Sequence, residues 1–591
     1  MTHPDSPAID SSESSENKPT RIRHFVVCVT VLSAFLLYLH RFCMSYAQRY
    51  IKEDLQLSDS QLGYCFSAFF FSYALAQVPS GWLSDRFGAR RMLTLYILTW
   101  SFFTSMMGLT VGFIMLLAVR LAAGLGQAGA YPTSAALLSR WVPLTSRGKS
   151  SSYVAFGGRV GGGLAPILTS WLIIAFVPVG TSSLLSDSDI LDIHPFAARF
   201  AEIDGKQVNQ NPPRQIDQFL WKQFSTQTRQ SLSNVFEASD SSSYPQNTYS
   251  SQDKIHLIAK LNFLIHSESF YQPDLFRDMD FETECKRLIK RSEQGLSEME
   301  IERRNRLLLE AAYPETIRKI YGRGWRPVML TFGSLGIIVA AVFWFCFRDV
   351  PSKHPWCNDE EVQLIDYGKP MKAADLQAEK STVPFRNILS SRSLWLICVT
   401  HWGSNVGWVF LVTWLPKYLL DVHQIPLEQR GVMAAVPLFV GWSGMLLGGW
   451  LTDRLRSVLG LRWGRVMPII CGRFLGASAY LLCLFEPSVW AMTALFAVVA
   501  FSTDVGSASL WAYKQDVGGR NVGSIHGWSN MWGNLGATIS PVLLLAVLSN
   551  FGWNAVFLTC ATAFFIAGVA AMGVDARQLI VPEDDPVVAT N

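Results

Sequence analysis

The sequence predicts an all-α membrane protein of about twelve spanning helices arranged in two six-helix halves. Three observations predict it: an apolar composition, apolar runs of spanning length along most of the chain, and a short motif that returns six runs later. Of the 591 residues, 50% are hydrophobic and only 16% are charged, where a soluble chain carries about 25% charge. The mean hydropathy is +0.22, and one long polar stretch holds it down. The 20 Trp and 37 Phe suit lipid-facing and interfacial surfaces. A net charge of +4, with no basic cluster or reader motif, gives no support to nucleic-acid binding. The ten cysteines are scattered without C-x-x-C spacing, so no metal site, cofactor or disulfide framework is expected.

A bilayer core about 30 Å thick needs about 20 apolar residues per helix. Residues 1–23 are Ser/Glu-rich and are expected to be a disordered cytoplasmic tail. They lack the features of a signal peptide, so the first apolar run is expected to be a retained helix. Runs near 24–46, 60–82, 92–110, 112–138 and 151–177 supply helices 1–5 of an N-terminal half, 24–178. Hydropathy collapses over 179–324, and helix 6 follows at 325–347. A charged connector spans 348–392. Runs near 394–420, 430–452, 464–485, 488–512, 524–548 and 553–574 supply the C-terminal half, 393–575, before a tail of 576–591.

Lys/Arg placement sets the orientation. Lys18, Arg21, Arg23, Arg86, Arg90, Arg91, Arg140, Arg147 and Lys149 fall on one side. The connector, Arg454, Arg456, Arg462, Arg465, Lys514 and Arg520 join them there, against a sparse opposite set of Arg49, Lys52 and Arg430. Both termini are therefore expected to be cytoplasmic in a plasma (inner) membrane protein, with 179–324 outside. The first part of that insertion is Ser/Gln/Asn-rich, while 281–321 has helical periodicity with many charges. It reads as a small helical cap, or as a domain that captures a substrate or partner.

The segment GWLSDRFGARR at 81–91 lies between runs 2 and 3, and GGWLTDRLR at 448–456 lies between runs 8 and 9. This is the spacing of an internal duplication. Gly81 and Gly88 permit close helix approach. Asp85 and Asp453 sit where a helix ends, within reach of basic partners and a neighbouring helix N-terminus. With Arg86, Arg90 and Arg454 they form a candidate conformational lock. The chain resembles the major facilitator superfamily, whose loop motif this is, and the resemblance implies the major facilitator fold.

Finer segments resemble the anion:cation symporter branch, which includes hexuronate, galactonate, sialic acid and vesicular glutamate carriers. They are YLHRFCMS at 38–45, RLAAGLGQAGAYP at 120–132 with RWVPLTSR at 140–147, RDVPSKHP at 348–355, TWLPKYL at 413–419 and NMWGNLGATISP at 530–541. Together they cover almost everything outside the insertion.

Ionised groups within a spanning helix are costly, and by default they face a cavity or a partner. Here they are Arg41, Arg120, Arg159, Arg473 and Asp504, with His40 and His401 as titratable neighbours. Arginine suits bidentate capture of a carboxylate. Arg473 lies near the end of its run, where its guanidinium can snorkel to the surface, and it is not counted among the site residues. The resemblance implies that Arg41 binds the substrate carboxylate, and that Tyr38, Tyr73, Gln77, Asn405 and Asn530 support it. Arg120 and Arg159 are further substrate-binding candidates. In galactonate-type carriers an Asp and a Glu occupy the places of His40 and Gln127, so the proton relay departs from the family pattern. His40 and Asp504 are the coupling candidates here.

The expected function is secondary transport of a small organic anion by alternating access, with protons or another coupling ion as an option. A transporter-like sensor using the insertion is the alternative. A drug exporter is disfavoured by the arginines, and no nucleophile–base set suggests an enzyme. A monomer surrounded by membrane lipid is expected, without catalytic residues.

Overall fold

The computed structural model describes residues 18–203, 214–240, 251–277, 279, 281–367, 369, 385–425, 427–485 and 488–581. Residues 1–17 and 582–591 of the expected tails, and 368 and 370–384 of the connector, lie outside the described residues. The membrane body begins with α1 (Ile22–Asp54), followed by α2, which runs as Asp59–Leu75 and Gln77–Phe87. Next come α3 (Ala89–Met107), α4 (Phe113–Ala128 and Ala130–Trp141), α5 (Arg147–Ala175) and α6 (Trp325–Cys346). In the second half, α7 is built from Arg392–Val409, a wide turn at Phe410–Trp414, and Leu415–Asp421. Pro416 follows that wide turn; its missing N–H leaves a carbonyl unpaired one turn earlier and favours the loosened geometry.

Helices α8 and α9 are two limbs of the continuous helix Leu427–Cys483, α10 is Val489–Val517, and α11 and α12 are two limbs of Val522–Met572. A straight helix of 57 residues would be ~85 Å long, far beyond a bilayer core. Each pair instead turns at a glycine with positive φ, Gly460 at 76° and Gly552 at 77°, a conformation that costs a side chain dearly. Past Gly460 the chain has reversed, since a methyl group on Gly464 would meet Arg456 Cα at 2.3 Å. Beyond Gly552 it has reversed as well: Gly536 on α11 and Ala563 on α12 both lie against the Trp402–Gly403 stretch of α7. Close packing within each half relies on small residues. On α5, a methyl group added to Gly161 would sit 2.2 Å from the Phe35 carbonyl oxygen of α1.

The insertion between α5 and α6 is a helical domain. His194–Ile203, Gln215–Gln223, Thr226–Asp240, Ser251–His266, Thr283–Arg291 and Glu298–Ala312 are its principal helices. The buried aromatics Phe196, Phe200, Phe224, Phe270 and Phe276 form its core, continuous with Ile51 of α1, Ile173 of α5 and Trp325 of α6. Helices therefore extend well before 281, driven by apolar pairs at i,i+4 such as Phe196/Phe200 and Ile216/Leu220 within the polar stretch.

The two ends of the insertion pair as an antiparallel bridge at Ile190 and Ile317. Leu191 N–H donates to the Thr316 carbonyl and Arg318 N–H to the Asp189 carbonyl, each at 2.8 Å. Inside, the fully buried Arg306 pairs with Glu310 at 2.6 Å and Asp189 at 3.6 Å. Burial pushes the Asp189 carboxyl up, but Arg306, the Ser186 hydroxyl and N–H, and Arg323 together outweigh it and hold it below the usual carboxylate range. At the end of α1, Asp54 pairs with Arg318 at 3.3 Å and Arg326 at 2.8 Å. The insertion thus sits on the ends of α1, α5 and α6, across the bundle from the start of α1 and the connector.

Two basic residues that the sequence assigns to surface loops are interior: Arg465 is 0% exposed and Lys514 is 1% exposed.

Candidate functional site

The face that carries the chain's N-terminal segment and the connector is sealed by two related contacts between the halves. Asp85, at the end of α2, accepts hydrogen bonds from Gly523 N at 2.8 Å, Ser524 N at 2.7 Å and the Ser524 hydroxyl at 2.8 Å. These are orphan donors at the N-terminus of α11. Asp453, at the end of α8, accepts from Gly148 N and Lys149 N at the N-terminus of α5, both at 2.9 Å. Gly81 permits the first contact, because a methyl group there would meet the Gly523 carbonyl oxygen at 2.2 Å.

A buried ionic chain braces the Asp453 contact. Arg147 binds Asp516 at 2.6 Å, and Arg465 binds Asp516 at 2.6 Å, Asp453 at 3.3 Å and the Leu144 carbonyl at 3.1 Å. Arg86, Gly88, Arg90 and Arg454 lie apart from this seal. Arg86 rests on Trp82 and Phe87, and Arg454 is exposed. Gly88 and Arg90 face Asp349, which accepts from Arg90 N at 2.9 Å within the N-terminal half. The expected lock is corrected accordingly. Its carboxylates and Gly81 join the halves, and Arg147 and Arg465 supply the cations.

Above the seal lies a cavity of about 490 Å³ between the halves. Tyr38, Arg41, Tyr73, Arg159, Asn405, Asp504 and Asn530 line it, and so do Tyr131, His401, Trp408, Arg473, Trp511 and Lys514. It continues past Phe66 and Phe70 of α2, Thr413 of α7 and Pro541 of α11, positions toward the insertion-bearing face. Arg41 stands in an aromatic box, with its guanidinium carbon 4.3 Å from the Tyr73 ring centroid, 5.0 Å from Tyr38 and 5.6 Å from Phe69. Its Nε donates to Gln127 Oε1 at 3.2 Å, while Nη2 has no hydrogen-bond partner. Arg159 bridges the halves, donating to Asp504 Oδ1 at 3.0 Å and lying 4.7 Å from the Trp408 ring centroid. Asn405 Nδ2 donates to the Gly533 carbonyl at 2.8 Å.

Three expected site residues do not line the cavity. Arg120 is 1% exposed, donates to the Cys65 carbonyl at 3.3 Å and lies 4.4 Å from the Phe69 ring centroid, so it sits behind the aromatics in the α2–α4 contact. His40 faces α6, with Phe332 at a ring separation of 6.2 Å; consecutive helical residues point about 100° apart, so it cannot share the outlook of Arg41. Gln77 is fully buried and accepts from Asn530 Nδ2 at 2.5 Å, joining α2 to α11 beside the cavity. Arg473 and Lys514, left out of the sequence-derived set, line the cavity instead. Their signal was the cost of a cation in an apolar run. Lys514 was masked by its nearness to the end of α10, whereas Arg473 lies midway along α9 and is 1% exposed, so the expected snorkelling is corrected.

A second groove of about 690 Å³ between α7, α11 and α12 is lined by Trp395, Trp402, Trp532, aliphatic side chains, Cys398 and two threonines, with no charged side chain. On the insertion surface, His266, Glu298 and Glu302 bring ligand-capable atoms within 4.8 Å of one another, remote from the cavity.

Residues 30–182 and 319–461 match the family model described as Major Facilitator Superfamily. The match stops where the insertion begins and resumes where it ends. The chain is similar to the probable sulfoacetate transporter SauU of Cupriavidus necator, 22% identical over 540 residues, which covers 90% of this chain and 89% of that one. It is similar to the probable galactarate/D-glucarate transporter GudP of Bacillus subtilis, 22% identical over 556 residues, covering 92% and 89%. The probable L-galactonate transporter of Escherichia coli strain K12 is 20% identical over 576 residues, covering 96% and 91%. Among solved structures, the Major Facilitator Superfamily transporter FucP is similar in fold, with a TM-score of 0.51, 13% identity, and coverage of 93% of this chain and 99% of that one.

Proposed function

The chain belongs to the Major Facilitator Superfamily and is an integral membrane transporter rather than an enzyme; from that premise we propose that it carries a sugar acid or a related small carboxylate by alternating access. The observation that carries this reading is the cavity's charge. Four cationic side chains, Arg41, Arg159, Arg473 and Lys514, face one carboxylate, Asp504. Such a site attracts an anion and repels a cation. The relatives named for sulfoacetate, galactarate, glucarate and galactonate support the same class of cargo.

In this reading the insertion faces outside a plasma membrane and the termini face the cytoplasm. The seal at Asp85 and Asp453 then closes the cytoplasmic route while the cavity receives its anion from outside. Arg41 holds the carboxylate, and Tyr38, Tyr73, Asn405 and Asn530 meet hydroxyl groups. Asp504 is the coupling group: protonation weakens its hold on Arg159 and loosens the halves at the cavity.

A thermal-shift titration of the purified protein against sugar acids, repeated with Arg41→Ala, tests the reading. Loss of a charge-assisted contact predicts binding weakened about ten- to a hundredfold. Stabilisation by neutral sugars alone, or undiminished acid binding by Arg41→Ala, overturns it.

A further inference from the structure

We infer that the ligand is a dianion that spans the cavity, with one acid group on Arg41 and the other on Lys514 and Arg473. This rests on the anion-carrier reading above and narrows it to acids charged at both ends. Of the cavity's four cations, only Arg159 has an ion-pair partner among the described residues. Arg41 is 8% exposed, Arg473 1% and Lys514 1%, so water does little to offset their charge. An unpaired cation held this deep is costly until an anion meets it.

The unpaired cations fall into two poles on opposite halves. Arg41 belongs to α1, whereas Arg473 belongs to α9 and Lys514 to α10. Arg473 donates Nη1 to the Thr503 carbonyl at 3.3 Å, and its Nε has no partner. Asp504 pairs with Arg159 and also lies within electrostatic reach of Arg473, so Arg41 and Lys514 are the ends of the cavity that no carboxylate meets among the described residues.

An aromatic wall connects the poles. Tyr38 stands three residues before Arg41, and Trp511 three residues before Lys514, each pair on one helix face. Tyr131 of α4 closes the gap, 6.2 Å from Tyr38 and edge-on to Trp511 at 5.0 Å. A hydroxylated carbon chain laid along Tyr38, Tyr131 and Trp511 has a cation waiting at each end. A monoanion compensates one pole and leaves the other bare. The second pole also adjoins the seal, because Lys514 directly precedes Gln515 and Asp516, which accept the Arg147 guanidinium. Lys514 is thus a specificity-determining residue for the far acid group.

The test is a pair of acids that differ only at that end, galactarate and galactonate, titrated into the purified full-length protein. The wild type is expected to bind galactarate at least about tenfold more tightly, and Lys514→Gln to shrink that ratio below about threefold. Lys514→Arg is expected to restore it, and Arg473→Gln reads the same ratio independently if Lys514→Gln fails to fold. Equal affinities in the wild type overturn the bridging dianion and leave the anion reading standing. Equal weakening of both acids by Lys514→Gln makes Lys514 a structural residue and overturns its assignment. Binding of galactitol with no response to either acid, or to sulfoacetate, brings down the anion reading and the bridge with it.

Discussion

The two six-helix halves share a closing device and differ in what they offer the cavity. Asp85 of the first half caps α11 of the second, and Asp453 of the second caps α5 of the first. Around the cavity the likeness ends. The first half presents Arg41 in a box of aromatic rings, while the second presents Asp504, Arg473 and Lys514. The contrast teaches which duty a duplicated fold can repeat: both halves must swing, so the seal recurs, but one ligand has no such symmetry.

The largest effect is expected where the halves differ and touch. Asp504→Asn strands Arg159, whose side chain is 21% exposed to the cavity, so the cost is expected to fall below the ~3–5 kcal/mol of a fully buried pair. A marked fall in melting temperature is expected, largely recovered in an Arg159→Met/Asp504→Leu double variant, together with loss of pH-gradient-driven accumulation in proteoliposomes. Wild-type melting and accumulation in Asp504→Asn would remove this pair from both roles.

A middle-sized effect is expected at the shared seal. Each carboxylate sits on a helix N-terminus, an interaction of about 0.3–2 kcal/mol, so Asp85→Asn and Asp453→Asn should each favour the opened seal, Asp453→Asn the more because it also loses Arg465. The readout is labelling of Ser151→Cys from the sealed side, with the exposed Cys28 and Cys471 replaced by Ser. Faster labelling in only one variant would break the symmetry. The smallest effect is expected from Arg86→Ala and Arg454→Ala, which lie outside the seal. Their labelling should stay within about 0.5 kcal/mol of wild type, and a larger change would return these arginines to the lock.

Much of this was legible in the chain. Spanning length and apolar composition are local properties, so the helix runs could be read one at a time, and the repeated motif located both carboxylates of the seal. Depth along an apolar run was legible too, which is why the expected Arg41, Arg159 and Asp504 are among the residues that line the cavity. The direction of a side chain within a bundle was not. Arg120 and His40 have the right depth and the wrong outlook, because helical phase relative to partners is set by packing that no single run contains. Lys514 and Arg465 were read as loop charges, since a cation near a helix end can reach water in most settings. Here neighbouring helices close over both.

The paired neck of the insertion, Ile190 beside Ile317, has an evolutionary and practical consequence. A guest domain whose entry and exit strands lie side by side enters a host loop without prying apart the helices it interrupts. A short turn joined across the neck should let α5 run into α6 with their separation kept, with Ile51, Ile173 and Trp325, which share the domain's core, replaced by polar residues. Such a graft point would also accept a different module, a reporter or an affinity handle, on the same face of the bundle.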